Sequence, residues 1–547
     1  MEISKLMLSM LVCGSISGCE FDNNSNVPDK AHITANAISN PANEPDATYG
    51  SLIDKTLPAS GSVEQHIDSP LSLVFDNEPT LGEIGKVRIY DAADDSLVDT
   101  LVLGKDNDNI GHATIDKFRN VNYQSISLNG NTLTIKPHNR ALAYAKKYYV
   151  VIGDKVVEGG KLNGSNFVGL GKEGKWSFST KASAPTGSNI LVDDNGPADF
   201  RTLQGAIDYV VDMIDKDTPA TITLKDGIYE ELLYLRNKNN LTIQGESRAN
   251  TRVQYNNYES YNPDWRSRAV FLVESADNLL LKNFTLKNTH TRTGSGDQAE
   301  TLYFNSPYRL IADNMSFISE QDTLLLKGYN WFYNSLVAGN VDFIWGYSNA
   351  SLFENSEIRT IGDSKYGDDV NSPGGYILQA RNQNETDAGF VFLNSRFTRG
   401  PGPLGNNVLD DSTYIARSSG KSDAFDHVVL INNYMDKHIA SVGWAAEGVN
   451  NQPAPNPTVA TAISGWREYG SMDLDGNVLD LSSRVGGYLL NPDEALTYLT
   501  RSAVFSSYNN GAGWLPSPLP AAEISIGSID GGFASNNGNM TGAPSRQ

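Results

Sequence analysis

Thiols are nearly missing from this 547-residue chain, whose only cysteines are Cys13 and Cys19. Disulfides therefore cannot staple the fold, which has to stand on a buried core. Histidine is scarce too. His290 and the six others are scattered without ligand spacing, so no zinc site is expected. Long apolar runs are absent except for residues 6–13, far short of the ~20 residues of a spanning helix. Basic residues are outnumbered, 43 against 64 acidic, and the net charge of −21 excludes nucleic acid as a natural partner. The same charge repels acidic polymers, although salt limits that repulsion to about 8 Å.

The short apolar run follows Lys5 and precedes Ile16, Ser17, Gly18 and Cys19. Small side chains before a thiol suit a signal peptidase that cuts ahead of a lipidated cysteine. Residues 1–18 read as a lipoprotein signal and Cys19 as the acylated first residue of the mature chain. An outer-membrane, lipid-anchored protein is expected, on the periplasmic or the surface face. An ordinary secretory signal with an incidental cysteine is the bland alternative. Residues 19–57, poor in periodic apolar positions and rich in Asn, Pro, Ala and Asp, read as a flexible tether.

Within 58–181, short β-rich runs alternate with turn residues at 71–75, 86–90, 132–136, 148–152 and 175–179. This rhythm predicts a small all-β sandwich resembling the bacterial Ig-like modules of secreted enzymes. Its titratable residues suggest no chemistry, so a spacer or binding role is expected, with a linker at 182–188. Beyond it, phrases opening on Asn283, Asn314, Asn334, Asn355, Asn394 and Asn433 recur about 20 residues apart or near twice that. A period of that size, built of brief strands and polar corners, fits the coils of a β-helix. Asn suits the corners because it tolerates left-handed backbone. No function is assigned to the tail at 517–547.

Two aspartates stand about one such coil apart, Asp322 after Gln321 and Asp342 ahead of Phe343, Ile344, Trp345 and Gly346. Neighbouring strands lie about 4.8 Å apart, so the two carboxylates should face each other. Such a pair splits its acidities, which supplies one proton donor and one anionic nucleophile. Arg417 is placed to hold one of them ionised. Gln298 and Gln321 are neutral amide donors suited to an oxyanion. Taken singly, each residue is more often structural; their coincidence at coil spacing carries the reading.

The set Gly227 to Glu231, Gln298, Gln321 with Asp322, Asp342 to Gly346, and Arg417 resembles the pectin methylesterases, as do the opening 199–207 and the closing Trp514 to Pro516. The resemblance spans 189–516 and implies a right-handed parallel β-helix that hydrolyses methyl esters of galacturonan. It implies Asp342 as nucleophile, Asp322 as acid and then base, Gln298 and Gln321 as the oxyanion site and Arg417 as the partner of Asp342. Trp345 and Tyr229 are expected to touch substrate. Neither metal nor other cofactor is implied, and a monomer acting on pectin or methylated oligogalacturonides is expected.

The family usually follows its arginine with proline and tryptophan, whereas Ser418 and Ser419 stand here, so a sugar-stacking platform is missing. The family's tyrosine near Gln321 is also absent, replaced by Leu324, Leu325 and Leu326. Trp331, Trp444 and Trp466 read as packing residues. The acidic stretch 363–369 reads as a solvated loop rather than a calcium site. Competing readings are an esterase or thioesterase on a non-pectic substrate, a β-helical glycoside hydrolase, and a non-catalytic glycan-binding lipoprotein.

Overall fold

A computed structural model describes residues 47–111, 118–368 and 370–516. Cys13, Cys19, the expected signal, most of the tether and the tail at 517–547 lie outside the described residues.

The N-terminal part contains two sheets that share one core. One joins Thr56–Leu57, Leu71–Val74, Thr132–Ile135 and Ile126–Asn129, all antiparallel. The other centres on Lys147–Ile152, flanked by Lys86–Asp91 and Ser177–Thr180. Alternation does the sorting: Leu71 and Leu73 point inward, as do Leu133 and Ile135, and they meet Ile89, Val150 and Phe178 from the facing sheet. The expected tether runs too far into this layer. Tyr49 and Leu52 are buried in the same core, and the Tyr49 hydroxyl donates to the Gly169 carbonyl at 2.9 Å.

From Asn189–Val192 onward every ladder is parallel, and the strands stack in three rows. One coil reads Leu279–Lys282, Thr285–Asn288 and Leu302–Asn305, and each of the three pairs with its counterpart on the next coil. This is a parallel β-helix, as the period predicted. Inward positions line up into columns, of which Ile243, Leu281, Ala312, Phe332, Phe353 and Phe392 form one. Phe353 stacks between Phe332 and Phe392 with ring centroids 4.6 and 4.8 Å away. Each such buried side chain contributes roughly 1.5–3 kcal/mol of transfer free energy.

The corners are asparagines with positive φ, among them Asn283, Asn314, Asn334, Asn355 and Asn394. The last corner of that series is Asn432 rather than Asn433, because Leu393 pairs with Ile431. Asn433 instead continues an internal polar ladder. Ser335 accepts from the Met315 amide, Ser356 from Ser335, Ser395 from Ser356, and Asn433 from Ser395, at 2.8–3.2 Å. Backbone donors at each corner are thereby satisfied inside the core.

Helix Leu203–Met213 lies over the first coil with Leu203, Ala206, Ile207 and Val210 inward. Thr202 caps it, and Glu231 accepts from the amides of Leu203 and Gln204 at 2.8 Å. The short helices Pro492–Ala495 and Arg501–Val504 cover the outer face around Trp331, where Phe505 and Trp514 complete the packing.

Candidate active site

Asp322 and Asp342 sit at the same place on consecutive coils. Gln321 bridges Val341, Leu324 pairs with Ile344, and the Asp322 amide donates to the Val341 carbonyl at 3.1 Å. Both aspartates adopt positive φ, 61° and 46°. Between Val341 and Ile344 the ladder to the next coil slips by one residue, a bulge that turns the Asp342 carboxylate off the regular strand direction.

The coil after Asp342 brings Gln379 beside Trp345, and the next brings Arg417, whose amide donates to Leu378 at 3.0 Å. The Arg417 Nε donates to Asp342 Oδ1 at 2.8 Å and its Nη2 donates to Oδ2, a bidentate fork that favours the ionised carboxylate. Beneath the fork, the Arg417 guanidinium lies 4.5 Å from the centre of the Tyr376 ring. Sequence reasoning therefore located five convergent residues. Gln298, Gln321, Asp322, Asp342 and Arg417 line one cavity of about 490 Å³, with Trp345 on its wall.

Asp322 differs from its partner. Burial pushes its carboxyl well above the usual range, the charges of Glu300 and Asp342 push further, and Arg268 and Arg381 pull back. Arg268 Nη2 reaches Asp322 Oδ2 at 3.2 Å. That arginine is itself committed elsewhere: it donates to both oxygens of the fully buried Glu300 at 2.7–3.0 Å and to Glu259 at 2.7 Å. Its charge is thus largely neutralised before it meets Asp322.

Of the two glutamines, Gln321 has its side chain held by an arginine, while the buried Gln298 Oε1 has no hydrogen-bond partner among the described residues. Arg292 Nε donates to Gln321 Oε1 at 3.0 Å, so the amide nitrogen of Gln321 must face the other way. Arg292 is fastened by Asp363, to which its Nη1 donates, and its own amide donates to Glu320 at 2.7 Å. Asp363 is consequently buried and ion-paired, not part of a solvated loop. Among the described residues, no group of three or more His, Cys, Asp and Glu side chains is gathered as metal ligands.

Two expectations need correction or completion. Tyr229 is not at the cavity: it points into the β-helix core at 3% exposure, and its hydroxyl donates to the Lys225 carbonyl at 2.9 Å. Ser418 supplies no platform because it is buried, with its hydroxyl on Asp426 at 2.7 Å. An aromatic surface is built from another direction. Trp265, 42% exposed, lies parallel to Trp345 with an interplanar angle of 1° and centroids 6.4 Å apart. Arg381 covers Trp345 at 4.7 Å from the ring centre and donates to Gln379 Oε1 at 2.9 Å. Trp331, Trp444 and Trp466 are fully buried packing residues, as read from the sequence.

Residues 189–455 match the family model described as Pectinesterase. Among curated proteins the chain is similar to Pectinesterase 31 of Arabidopsis thaliana, 29% identical over 266 residues, which cover 47% of this chain and 76% of that protein. Putative pectinesterase 11 of the same plant is 26% identical over 338 residues, 60% of this chain and 81% of the relative. Among solved structures, a pectin methylesterase in complex with a hexasaccharide aligns with 61% of this chain and 100% of its own, at 24% identity and a TM-score of 0.48. The pectin methylesterase from carrot aligns at 19% identity with the same TM-score, over 62% of this chain and 100% of its own.

Proposed function

We propose that this chain, whose residues 189–455 match the family model described as Pectinesterase, removes methyl groups from esterified galacturonan with Asp342 as nucleophile and Asp322 as acid and base. The observation that carries the assignment is the asymmetry of the pair. Both prongs of the Arg417 guanidinium fall on Asp342, while burial and the neighbouring Glu300 raise the Asp322 carboxyl well above the usual range.

A carboxylate oxygen of Asp342 attacks the ester carbonyl, and the negative charge that forms on the carbonyl oxygen meets the amide donors of Gln298 and Gln321. The tetrahedral intermediate collapses as Asp322 delivers its proton to the methoxy oxygen. Methanol leaves, and a mixed anhydride joins Asp342 to the galacturonyl carbon. Asp322, now ionised, takes a proton from water as the water oxygen attacks that carbon. Collapse frees the galacturonic acid, restores the Asp342 carboxylate and leaves Asp322 protonated again. Ester and water have become acid and methanol, with no redox change.

Trp265 offers an exposed apolar face for a sugar ring, with the buried Trp345 parallel to it, which answers the missing platform after Arg417. Arg268, Arg381 and Arg417 share the cavity lining with Glu259, Asp264, Asp322 and Asp342, so the lining carries no surplus of positive charge and a neutral methyl-esterified residue suits it better than an ionised uronate. Short methylated oligomers suit this site, and lipidation at Cys19 would hold the enzyme at the outer membrane. Loss of lipid labelling in Cys19→Ala tests the anchor. The reaction is tested by methanol release from highly methylated oligogalacturonides. Release that disappears in Asp342→Asn supports the reading, and folded chain that releases none from any methylated galacturonan rejects it.

A further inference from the structure

A separate hairpin of the N-terminal part reaches the turn that flanks the active site. It pairs Asp106–Ile110 with Arg119–Tyr123, and its second strand lies against the turn that precedes Phe271–Glu274. Arg119 is 1% exposed. Its five N–H groups find five backbone carbonyls: Nε donates to Arg266 at 3.1 Å, Nη1 to Leu233 at 2.6 Å and Val270 at 3.1 Å, and Nη2 to Ser267 at 3.1 Å and to Ala269. A guanidinium has five donors and no more, so its capacity is spent on this contact.

Four of those carbonyls belong to residues 266–270, the end of helix Trp265–Arg268 and the residues just after it. One turn of helix does not hold its shape in isolation. Here the shape is imposed from outside. Asn122 and Asn262 exchange backbone and side-chain hydrogen bonds at 2.6 and 2.9 Å, and the Ser267 hydroxyl donates to the Asn120 carbonyl at 3.2 Å. From β-helix residues, Asn257 adds donors to Ser267 and Ala269 at 3.0 and 3.1 Å.

The turn so fixed carries Trp265, which faces Trp345, and Arg268, which joins Glu300 to Asp322. We propose that Arg119 is a positioning residue of the active site, and that the N-terminal sheets are a structural part of the catalytic unit rather than a spacer. The inference rests on the ester-hydrolysis reading for its kinetic consequence but not for its geometric one. Arg119 touches no reacting atom; it acts by holding the backbone from which Arg268 and Trp265 project.

The test uses the full chain and the variants Arg119→Met, Arg268→Gln and their combination, assayed by methanol release from methylated oligogalacturonides. Arg119→Met should lower kcat/KM by about tenfold or more, as expected when a positioning group is lost. The double variant should be slower than Arg268→Gln by less than the factor Arg119→Met costs alone, because part of the Arg119 effect runs through Arg268. Effects that multiply, or an Arg119→Met chain with unaltered kinetics, overturn the proposal. The exciton circular dichroism of the Trp265 and Trp345 pair, isolated by subtracting the spectrum of Trp265→Phe, reports the turn without reference to activity. Loss of that signal in Arg119→Met is expected, and its persistence overturns the proposal. If wild-type chain releases no methanol while the signal responds to Arg119, the functional reading falls and the positioning role stands. Should Arg119→Met not fold, Arg119→Lys keeps the charge with fewer donors and is read by the same two measurements.

Discussion

Asp322 and Asp342 hold one register position on neighbouring coils and share a left-handed backbone, yet only Asp342 receives a two-pronged arginine. Asp322 receives one weaker contact, 3.2 Å from an Arg268 already engaged by Glu300 and Glu259. Equivalent places in the scaffold thus become chemically unequal through what the next residues outward supply.

The first consequence concerns stability. Because burial raises the Asp322 pKa in the folded chain above its unfolded value, the folded state binds the extra proton. Stability is then fully present below the unfolded value and is lost as pH rises through the folded one. Asp322→Asn removes that loss. At neutral pH the variant should be inactive in methanol release but more stable, by on the order of 1–2 kcal/mol in denaturant unfolding. A variant that is less stable than wild type at neutral pH, and equally so in acid, contradicts the argument.

Glu300 is expected to set where activity ends on the alkaline side. In the proposed mechanism methanol departure needs protonated Asp322, so kcat/KM should fall as pH rises through its folded value. The groups that act on it are Glu300, Arg268, Asp342 and Arg381, with Glu259 behind Arg268 and Arg417 behind Asp342. Glu300→Gln deletes one negative neighbour and frees Arg268 to bind Asp322 more strongly. Its alkaline limb should move to lower pH, read from a pH profile of kcat/KM. A limb that stays in place while activity drops uniformly would reduce Glu300 to a packing role.

Arg292 holds the Gln321 amide, the proposed oxyanion donor, by its oxygen. With the Arg292 donor gone, nothing fixes which end of the Gln321 amide faces the cavity, and the oxygen competes for that place. Arg292→Met should lower kcat by about 10- to 100-fold, below the ~10²–10³ seen when an oxyanion donor is deleted outright. KM should change little, because the amide acts on charge that develops only in the transition state. An effect confined to KM would assign Arg292 to substrate binding.

Coil arithmetic explains what was legible. Gln298, Gln321 with Asp322, and Asp342 project from three successive coils, so spacing brings them together, while Arg417 stands two coils beyond Asp342 and reaches back across the coil of Gln379. Arg268, Trp265 and Glu259 come from an excursion at 256–270 that interrupts the period, and no spacing rule reaches them. Gln379 and Arg381 offered a readable signal, polar residues at alternate positions of Tyr376–Ala380 and just beyond, but the intervening loop displaces them from the simple repeat. Tyr229 was misassigned because a tyrosine in a motif was read as a surface group. Its strand alternation points it inward, and carbonyls near the first coil take up its hydroxyl. Arg119 had no sequence signature at all, since its acceptors are backbone carbonyls more than a hundred positions away.

Each coil's backbone ladder runs only to the coil before and the coil after, and this makes chain length a property that can vary at one end alone. Past Trp466–Tyr469 the strands dwindle to pairs such as Tyr488–Leu489, where a further turn could be added or lost without moving a reacting group. Between Asp322 and Asp342 an added turn would double the gap between acid and nucleophile. At the opposite end, the covering helix and the hairpin grip the first coils as a fixed origin. The scaffold is in effect a ruler with its zero pinned, free to lengthen only beyond its last working mark.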